Sequence, residues 1–429
     1  MRKFLNKPNK LQSSSHIVSK NTIPMKAHFI TIAICFCAIF AQAQQNSSNY
    51  RWTRISSTYG EIDLPNSGKF QTDCLIADFN KDGKDEFMII EKTEGPSIVM
   101  FSHTEGKKFA RTIIEKKKMP TGESAAFCDI DNDGDLDIAV GSEETNQVWW
   151  WENPYPAIDP EKSWKRYTIK NSGAALHHDM AFGDFNGDGK KELAFWCQGD
   201  KTLYVASLPE KLTKADEWNL SKIYTYQSEC QMQQRSEGSE LKNLPVNTHQ
   251  GVCAADINLD GVDDIVAGGM YFTFNKGAYF SNDIDKSYIG TKVAVGQLIE
   301  GDRPEIVMVA GDGEGPLVMY SYENGVWIPT ILQKFTRRAH SLQLIDFDNN
   351  GYLDIFVSEM KTIDINDPKI FIILNDVHNN FERIDVSSSY GTHNSGMGDF
   401  DGDGDFDIIG KPYAWGTPRI DLWLNMQNE

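Results

Sequence analysis

The chain has 429 residues, of which 40% are hydrophobic and 11% are aromatic. This composition allows a large buried core and excludes a disordered or collagen-like chain. With 61 acidic against 42 basic residues, the net charge is −19. Such an acidic balance argues against a nucleic-acid partner, because pairing with phosphates requires a basic face.

The first segment has the pattern of a secretory signal peptide. From Met25, a lysine is followed by an apolar run over 29–40 and by the sequence Ala-Gln-Ala, which predicts cleavage after Ala43. The apolar run is too short to anchor the chain in a bilayer. We therefore expect 1–43 to be leader and signal peptide, 44–429 to be a single mature domain without a transmembrane segment, and the protein to be secreted or periplasmic.

A nine-residue acidic pattern recurs along the mature chain. It reads Asp-x-[Asp/Asn]-x-[Asp/Asn]-Gly-x-x-[Asp/Glu], and a degenerate seventh copy starts at Gln297. Seven units averaging about 55 residues indicate a repeat architecture. The six intact copies start at Asp78, Asp129, Asp184, Asp256, Asp346 and Asp399.

Oxygen ligands at alternate positions around a tight glycine turn suit Ca²⁺. An EF-hand would need flanking helices, but here the flanks are strand-like runs, so each loop is predicted to join two antiparallel strands. A solvated acidic hairpin without metal is the alternative. We expect up to six structural Ca²⁺ ions, bound by Asp78, Asn80, Asp82, Glu86, Asp129, Asp131, Asp133, Asp137, Asp184, Asn186, Asp188, Glu192, Asp256, Asn258, Asp260, Asp264, Asp346, Asp348, Asn350, Asp354, Asp399, Asp401, Asp403 and Asp407.

The strand content of each unit predicts the fold. Two further strand-like runs follow each loop and its second strand, so seven units of four strands predict an all-β, seven-bladed β-propeller. The last unit lacks an outer strand, and the run from Tyr50 resembles the outer strands of other units. We expect this N-terminal strand to complete the last blade and to remove the open edges.

On these loops and strands, the chain resembles the FG-GAP/VCBS-type calcium propellers. The resemblance covers nearly all of the mature sequence and implies a propeller that binds calcium. It is weak for function, because such propellers serve as lectin-like, adhesive and catalytic scaffolds.

The candidate site lies upstream of the loops. If each loop closes one end of an innermost strand, the residues six or seven positions before its first aspartate lie at the opposite face, around the central channel. Five of the nine histidines occupy these positions in four different units, which favours convergence on one site at the channel mouth; singly, each is better explained as an ordinary strand-end histidine. They are His177, His178, His249, His340 and His393.

Other polar and aromatic residues are expected at the same face. Tyr271, Tyr413 and Trp415 follow second strands and form either aromatic platforms or packing between blades. The long segment before the fourth unit, which includes Arg235, predicts a rim loop over this face. In this interpretation the acids are mainly structural and opposite the site, so the mouth is basic and rich in histidine. The remaining candidate substrate-binding residues are Arg338, Glu123, Asp179 and Asn394, with Lys292 in the fifth unit.

Histidines, an arginine and tyrosines are suited to proton transfer beside an anionic substrate. Histidine titrates near neutral pH and acts as base or acid, and β-elimination next to a sugar carboxylate requires both, with neutralisation of the developing charge. The competing hypothesis is a transition metal such as Zn²⁺ held by the imidazoles.

A second resemblance narrows the chemistry. The run from Trp149 to Trp196 and the later segment around His393 resemble the propeller domain of aldos-2-ulose dehydratases and related secreted carbohydrate dehydratases. Propeller-type ulvan lyases share the fold and use histidine and tyrosine in elimination. These resemblances imply that the five histidines form the site, although the fifth unit departs from the pattern by lacking an acidic loop.

The first hypothesis is thus a monomeric carbon–oxygen lyase that eliminates water from a uronate-containing, ulvan-type oligosaccharide. His178 or His340 is expected to be the base, His393 or a tyrosine the acid, and Arg338 the carboxylate-binding residue. The alternatives are a polysaccharide lyase that cleaves a glycosidic bond, a non-catalytic glycan-binding propeller, and an adhesion or partner-binding module.

Overall fold

The computed structural model describes residues 50–227 and 248–427. Their strands form seven antiparallel four-stranded sheets. The innermost strands contact one another in a closed cycle, so the sheets are the blades of a seven-bladed propeller, as predicted. The predicted signal peptide and Arg235 lie outside the described residues.

The inner strands surround the axis, and they are β2 (Gln71–Ala77), β6 (Thr121–Cys128), β10 (His177–Gly183), β14 (Val252–Ala255), β18 (Thr291–Gly296), β22 (Ser341–Ile345) and β26 (Gly396–Gly398). The second strands are β3 (Glu86–Glu91), β7 (Asp137–Ser142), β11 (Glu192–Cys197), β15 (Asp264–Ala267), β19 (Glu305–Ala310), β23 (Asp354–Ser358) and β27 (Asp407–Gly410). Nearly every residue of the second strands is buried, because both faces of each blade pack against a neighbour.

The third strands are β4 (Ile98–Glu105), β8 (Val148–Glu152), β12 (Thr202–Ser207), β16 (Met270–Asn275), β20 (Glu314–Glu323), β24 (Ile370–Leu374) and β28 (Asp421–Asn425). The outer strands are β5 (Lys108–Glu115), β9 (Lys165–Lys170), β13 (Asn219–Thr225), β17 (Ala278–Asp283), β21 (Val326–Arg337), β25 (Glu382–Ser387) and β1 (Trp52–Ser56). Helix is limited in the described ranges to two short 3-10 turns, Ser57–Tyr59 and Leu212–Lys214, and no helix there is long and apolar enough to span a membrane.

The N-terminal strand closes the ring as predicted. β1 pairs antiparallel with β28, from Trp52 opposite Asn425 to Ser56 opposite Asp421. The Arg54 guanidinium bridges the junction, because it lies 2.5 Å from the buried Asp421 carboxylate and 3.7 Å from the centre of the Tyr390 ring. The last blade is therefore built from both ends of the described chain.

The hydrophobic core consists of seven clusters, each between adjacent blades. The second residue of every loop, counting the degenerate one, is buried in or beside these clusters, and each is at most 1% exposed. These residues are Phe79, Ile130, Phe185, Ile257, Leu298, Phe347 and Phe400.

One hydrogen bond recurs in all seven loops. The carboxylate of the ninth loop residue accepts the backbone N–H of the second, at 2.8–3.3 Å in every copy. In the fifth blade, whose loop has no acid at its first, third or fifth position, Glu305 still accepts from Leu298 N at 2.8 Å and from Ile299 N at 3.1 Å. This bond closes the turn whether or not the loop retains its acidic side chains.

Replacing Glu305 tests this role in the blade without an acidic loop. Glu305→Met leaves two backbone N–H groups without an acceptor and is expected to lower the free energy of unfolding by roughly 2–4 kcal/mol. Glu305→Gln keeps an oxygen acceptor and is expected to cost less. Urea unfolding measures both, with exposed Glu300→Gln as control; equal stability of Glu305→Met and Glu300→Gln would contradict the assignment.

Candidate functional site

Three histidines converge on one carboxylate at the channel mouth. Glu123 Oε2 lies 3.0 Å from His393 Nε2, 3.2 Å from His178 Nε2 and 3.9 Å from His340 Nδ1. The four residues come from blades two, three, six and seven, and each stands six positions before its acidic loop. Three of the five predicted histidines, from three different blades, therefore meet at this face.

A β-bulge brings two consecutive residues of β10 to the axis. Consecutive side chains of a regular strand point to opposite faces, but the pairing with β11 shifts between His178 and Met180. Asp179 takes a left-handed φ of 40° at this point. A bulge re-aims side chains in this way, so His178 and Asp179 both reach the channel.

Carboxylates orient two of the histidines. His178 Nδ1 lies 2.6 Å from Asp179 Oδ2, and His340 Nε2 lies 2.9 Å from Asp312 Oδ1. Since an ionised carboxylate only accepts hydrogen bonds, these ring nitrogens carry protons and donate them. His178 Nε2 and His340 Nδ1 then face Glu123, and His340 Nδ1 is buried without a hydrogen-bond partner in the described chain.

Asp179 also links the cluster to a lysine. Its Oδ1 lies 2.6 Å from Lys292 Nζ, and its Oδ2 accepts Gly251 N–H at 2.9 Å. Lys292 comes from the fifth blade, which has no histidine at this level. Both Lys292 and Asp179 are mostly buried, with side chains 12% exposed.

His393 has different neighbours. Its ring stacks on His340, with centroids 4.6 Å apart, and lies 4.7 Å from the centre of the Tyr413 ring. Its Nδ1 is 3.4 Å from Lys411 Nζ, which donates to the Gln71 carbonyl at 2.7 Å. Lys411 is completely buried.

Burial and charge shift the pKa values of the cluster in opposite directions. Burial alone would lower the pKa of His178, but the charges and hydrogen bonds of Asp179 and Glu123 raise it to about 10. Burial dominates at His393 and lowers its pKa to about 3. Burial would raise the pKa of Glu123, yet His393 and His178 hold it well below its usual value. This pair therefore favours a protonated, positively charged His178 beside an ionised Glu123.

A cavity of about 340 Å³ lies beside the cluster along the axis. Its polar lining includes Asp73, Asp179, Lys292, His340 and Asn394, and the rest of its wall is largely apolar, from Leu75 to Leu342. Burial raises the pKa of Asp73 to about 6. This space is large enough for a single sugar residue beside the histidines, in line with the size of small-ligand pockets.

His177 and His249 do not join the cluster, contrary to the expectation of a five-histidine site. They stand seven positions before their loops, so the alternation of the strand turns their rings away from Glu123. His177 Nδ1 bonds to the Ser142 carbonyl at 2.6 Å, and its ring packs on Phe195. His249 stacks on Tyr226 with centroids 4.1 Å apart.

The other predicted substrate-binding residues are divided. Tyr413 lies at the cluster, Asn394 lines the cavity and Trp415 is 49% exposed on the loop after β27. Tyr271 packs against Trp327 between blades four and five. Within the described residues, Arg338 has no hydrogen bond or ion pair to the cluster, so the predicted carboxylate-binding role is not supported by its position.

Two site residues were missed from the sequence. Asp312 and Lys411 both follow second strands, at the connection to the third strand, which returns to the mouth. The tyrosines that follow second strands indicate that these connections lie at the mouth, but no pattern in the sequence singles out the charged residues there. The mouth is also more acidic than expected, since Glu123, Asp179 and Asp312 all surround the histidines.

The acidic loops hold their carboxylates close together. In each intact loop the first aspartate accepts the N–H of the glycine at the sixth position, as Asp129 Oδ2 does from Gly134 at 3.1 Å. Asp129 Oδ1 is buried without a partner among the described residues. In three loops, single oxygens lie within 4.8 Å of one another, in the sets Asp129, Asp131 and Asp137; Asp346, Asp348 and Asp354; and Asp399, Asp401 and Asp403.

Comparison with known proteins defines the class. Residues 129–195 match the model of the FG-GAP-like repeat family. No curated protein sequence matches the chain. The chain is a seven-bladed β-propeller that contains an FG-GAP-like repeat.

Solved structures share this fold at low identity. The crystal structure of BBS1N in complex with ARL6DN, soaked with lead, has a TM-score of 0.52 and 8% identity over 88% of this chain and 97% of that chain. Its mercury-soaked form has a TM-score of 0.50 and 9% identity over the same shares. The Cps50 (Swd1) β-propeller domain of Myceliophteria thermophila has a TM-score of 0.46 and 11% identity over 87% and 99%. At such identities the likeness concerns the fold alone.

His249 is expected to make the fold sensitive to acid. Burial lowers its pKa to about 4 in the folded protein, against about 6.5 when unfolded. Below pH 6.5 the unfolded chain therefore takes up a proton that the folded chain does not, and the free energy of unfolding falls by up to about 3 kcal/mol as the pH drops towards 4. His249→Phe removes this contribution, and urea unfolding at several pH values measures it; an unchanged pH dependence would contradict it.

Proposed function

We propose that this propeller is a carbohydrate-active carbon–oxygen lyase that eliminates water from uronate-containing oligosaccharides of the ulvan type. The observation that carries the proposal is the convergence of three histidines with fixed orientations beside a polar cavity. A glycan-binding propeller needs aromatic platforms, but it has no need of several buried histidines, each held by a partner.

The orientations support a division of roles. His340 Nδ1 is unpartnered, and Asp312 holds the opposite nitrogen, so His340 suits the base that removes a proton from the sugar carbon. His178 has a raised pKa of about 10, and its positive charge stabilises the anion that develops next to the sugar carboxylate. His393, which stacks on His340, or Tyr413 beside it suits the acid that protonates the leaving oxygen.

The cavity favours a dehydratase over an enzyme that cleaves within a polymer. The cluster histidines are deeply buried, with His340 2% and His393 1% exposed. A space of about 340 Å³ accommodates a chain end, whereas a polymer lyase needs a long open cleft. Lys292 lines this space and replaces Arg338 as the basic residue placed to meet the substrate carboxylate.

The alternative for this cluster is a divalent transition metal, with His340 Nδ1 as a ligand instead of a base. His340 Nδ1 lacks a partner, and Glu123 and His340 supply an oxygen and a nitrogen ligand. Single ligand atoms of Glu123, His340 and His393 lie within 4.8 Å of one another. A bound metal would act as a Lewis acid on the substrate's oxygen atoms. The acidic loops are likewise proposed to bind structural Ca²⁺ through their clustered carboxylates.

Elimination is tested directly with purified protein and uronate oligosaccharides. The wild type is expected to generate near-ultraviolet absorbance from the new double bond and a product lighter by one water. His340→Ala is expected to lower kcat by ~100-fold or more, and His249→Phe, outside the cluster, is expected to retain activity. A product of shortened chain length would indicate a polysaccharide lyase; sugar binding without reaction would indicate the non-catalytic alternative.

Metal analysis tests the ion sites. Purified protein is expected to hold up to six Ca²⁺ per chain and, under the metal alternative, one transition-metal ion. After chelation, titration with Zn²⁺ should show one tight site that is lost in Glu123→Gln and weakened ~10–100-fold in Asp312→Asn, since the partners of ligating histidines tune affinity. Asp129→Asn should remove one Ca²⁺ and leave Zn²⁺ binding intact. Equal Zn²⁺ affinity in wild type and Glu123→Gln would contradict the cluster site.

A further inference from the structure

We propose that a groove between blades three and four, near the acidic loops and at the end of the blades opposite the histidine cluster, binds a neutral sugar residue. It is a second carbohydrate site, separate from the channel mouth, and it does not depend on the proposed elimination. Its volume of about 530 Å³ lies in the range of small-ligand pockets.

Small side chains on blade three open this groove. Alternate residues of a strand face the same side of the sheet, and Val205 of β12 packs in the core cluster between blades three and four. Ser207 stands two positions later, and Ser221 of β13 lies opposite Val205, so both serines face blade four. Their short side chains leave a space between the blades near the outer edge of the ring.

Two aromatic residues form the facing wall on blade four. Phe274 of β16 and Tyr279 of β17 are cross-strand partners, and their ring centroids lie 5.0 Å apart with an angle of 60° between the planes. Both residues line the groove. An aromatic ring offers a flat apolar surface, which suits the C–H face of a pyranose ring.

Polar groups surround these rings. In the part of the chain that the structure describes, the hydroxyls of Ser207, Ser221 and Tyr279 have no hydrogen-bond partner. Asn186 and Asp188 of the third acidic loop line the same space. An apolar surface with a few free polar groups is the usual composition of a small-ligand site, and here the free groups match the hydroxyls of a sugar.

The charge of the groove selects against an acidic sugar. The third loop has three carboxylates, Asp184, Asp188 and Glu192, so it keeps a net negative charge even with a bound Ca²⁺. Lys222 is the only cationic residue in the described lining, and it pairs with Asp200 at 3.2 Å. Like charges repel, so a uronate or a sulfate ester is disfavoured, in contrast to the channel mouth.

Binding is tested by saturation-transfer difference NMR on the full chain. The probes are neutral sugars with their uronates, glucose with glucuronate and galactose with galacturonate, together with mannose, xylose and rhamnose. We expect at least one neutral sugar to bind the wild type. Its affinity should fall at least about tenfold in Tyr279→Ala, and its binding should be lost in Ser221→Trp, which fills the groove.

Phe280→Ala is the matched control, because Phe280 follows Tyr279 on β17, points to the other side of the sheet and is 54% exposed. It should bind the neutral sugar as the wild type does. Ser221→Trp removes no core side chain, so the test does not depend on the folding of Tyr279→Ala.

Three results would overturn the proposal: no neutral sugar binds, the neutral sugar binds both groove variants as it binds the wild type, or the groove variants lose uronate binding as well. Turnover of uronate oligosaccharides at the mouth should be unchanged in both groove variants. If no uronate is turned over but the neutral sugar still depends on Tyr279 and Ser221, the elimination proposal fails and the groove site stands.

Discussion

The structure depends on one hydrogen bond repeated around the ring, from a backbone N–H at the second loop position to a buried carboxylate at the ninth. It closes the turn between the first two strands of every blade. It also fixes the side chain of the second loop residue between adjacent blades. A buried N–H without an acceptor is costly, so this carboxylate is present even in the fifth blade, where Glu305 occupies the ninth position although the first, third and fifth positions carry no acid. The loop geometry therefore depends more on the carboxylate at the ninth position than on any bound ion.

This constraint also positions the site. A strand rises about 3.3 Å per residue, so the residue six positions before the loop lies about 20 Å away, at the opposite face of the ring. Side chains alternate along the strand, and the anchored loop decides which of two neighbours faces the axis. The side chains of His178, His340 and His393, six positions before their loops, point towards the axis. His177 and His249 stand one residue earlier and pack between blades.

The repeat made the fold predictable, because each unit states the same loop, the same flanking strands and the same buried second residue. The run from Tyr50 revealed the closure, since only an outer strand was missing. The site was predictable in position but not in membership. Spacing located the histidines, but the parity of β10 and the bulge at Asp179 depend on pairing with β11. Asp312 and Lys411 lie in irregular connections whose course no periodicity describes.

The charges at the mouth finally bear on what it binds. The sequence predicts that the acids of this chain lie on the loop face, opposite an anionic substrate. In the structure, however, Glu123, Asp179 and Asp312 surround the histidines themselves. With Asp73, the mouth has four carboxylates, and only two lysines, Lys292 and Lys411, offset them. The cluster therefore favours a further positive charge. The raised pKa of His178 supplies it as a proton, and a divalent ion would supply it more strongly. The proposed anionic sugar would therefore bind here only together with that cation, so the charge state of the cluster would be part of its specificity.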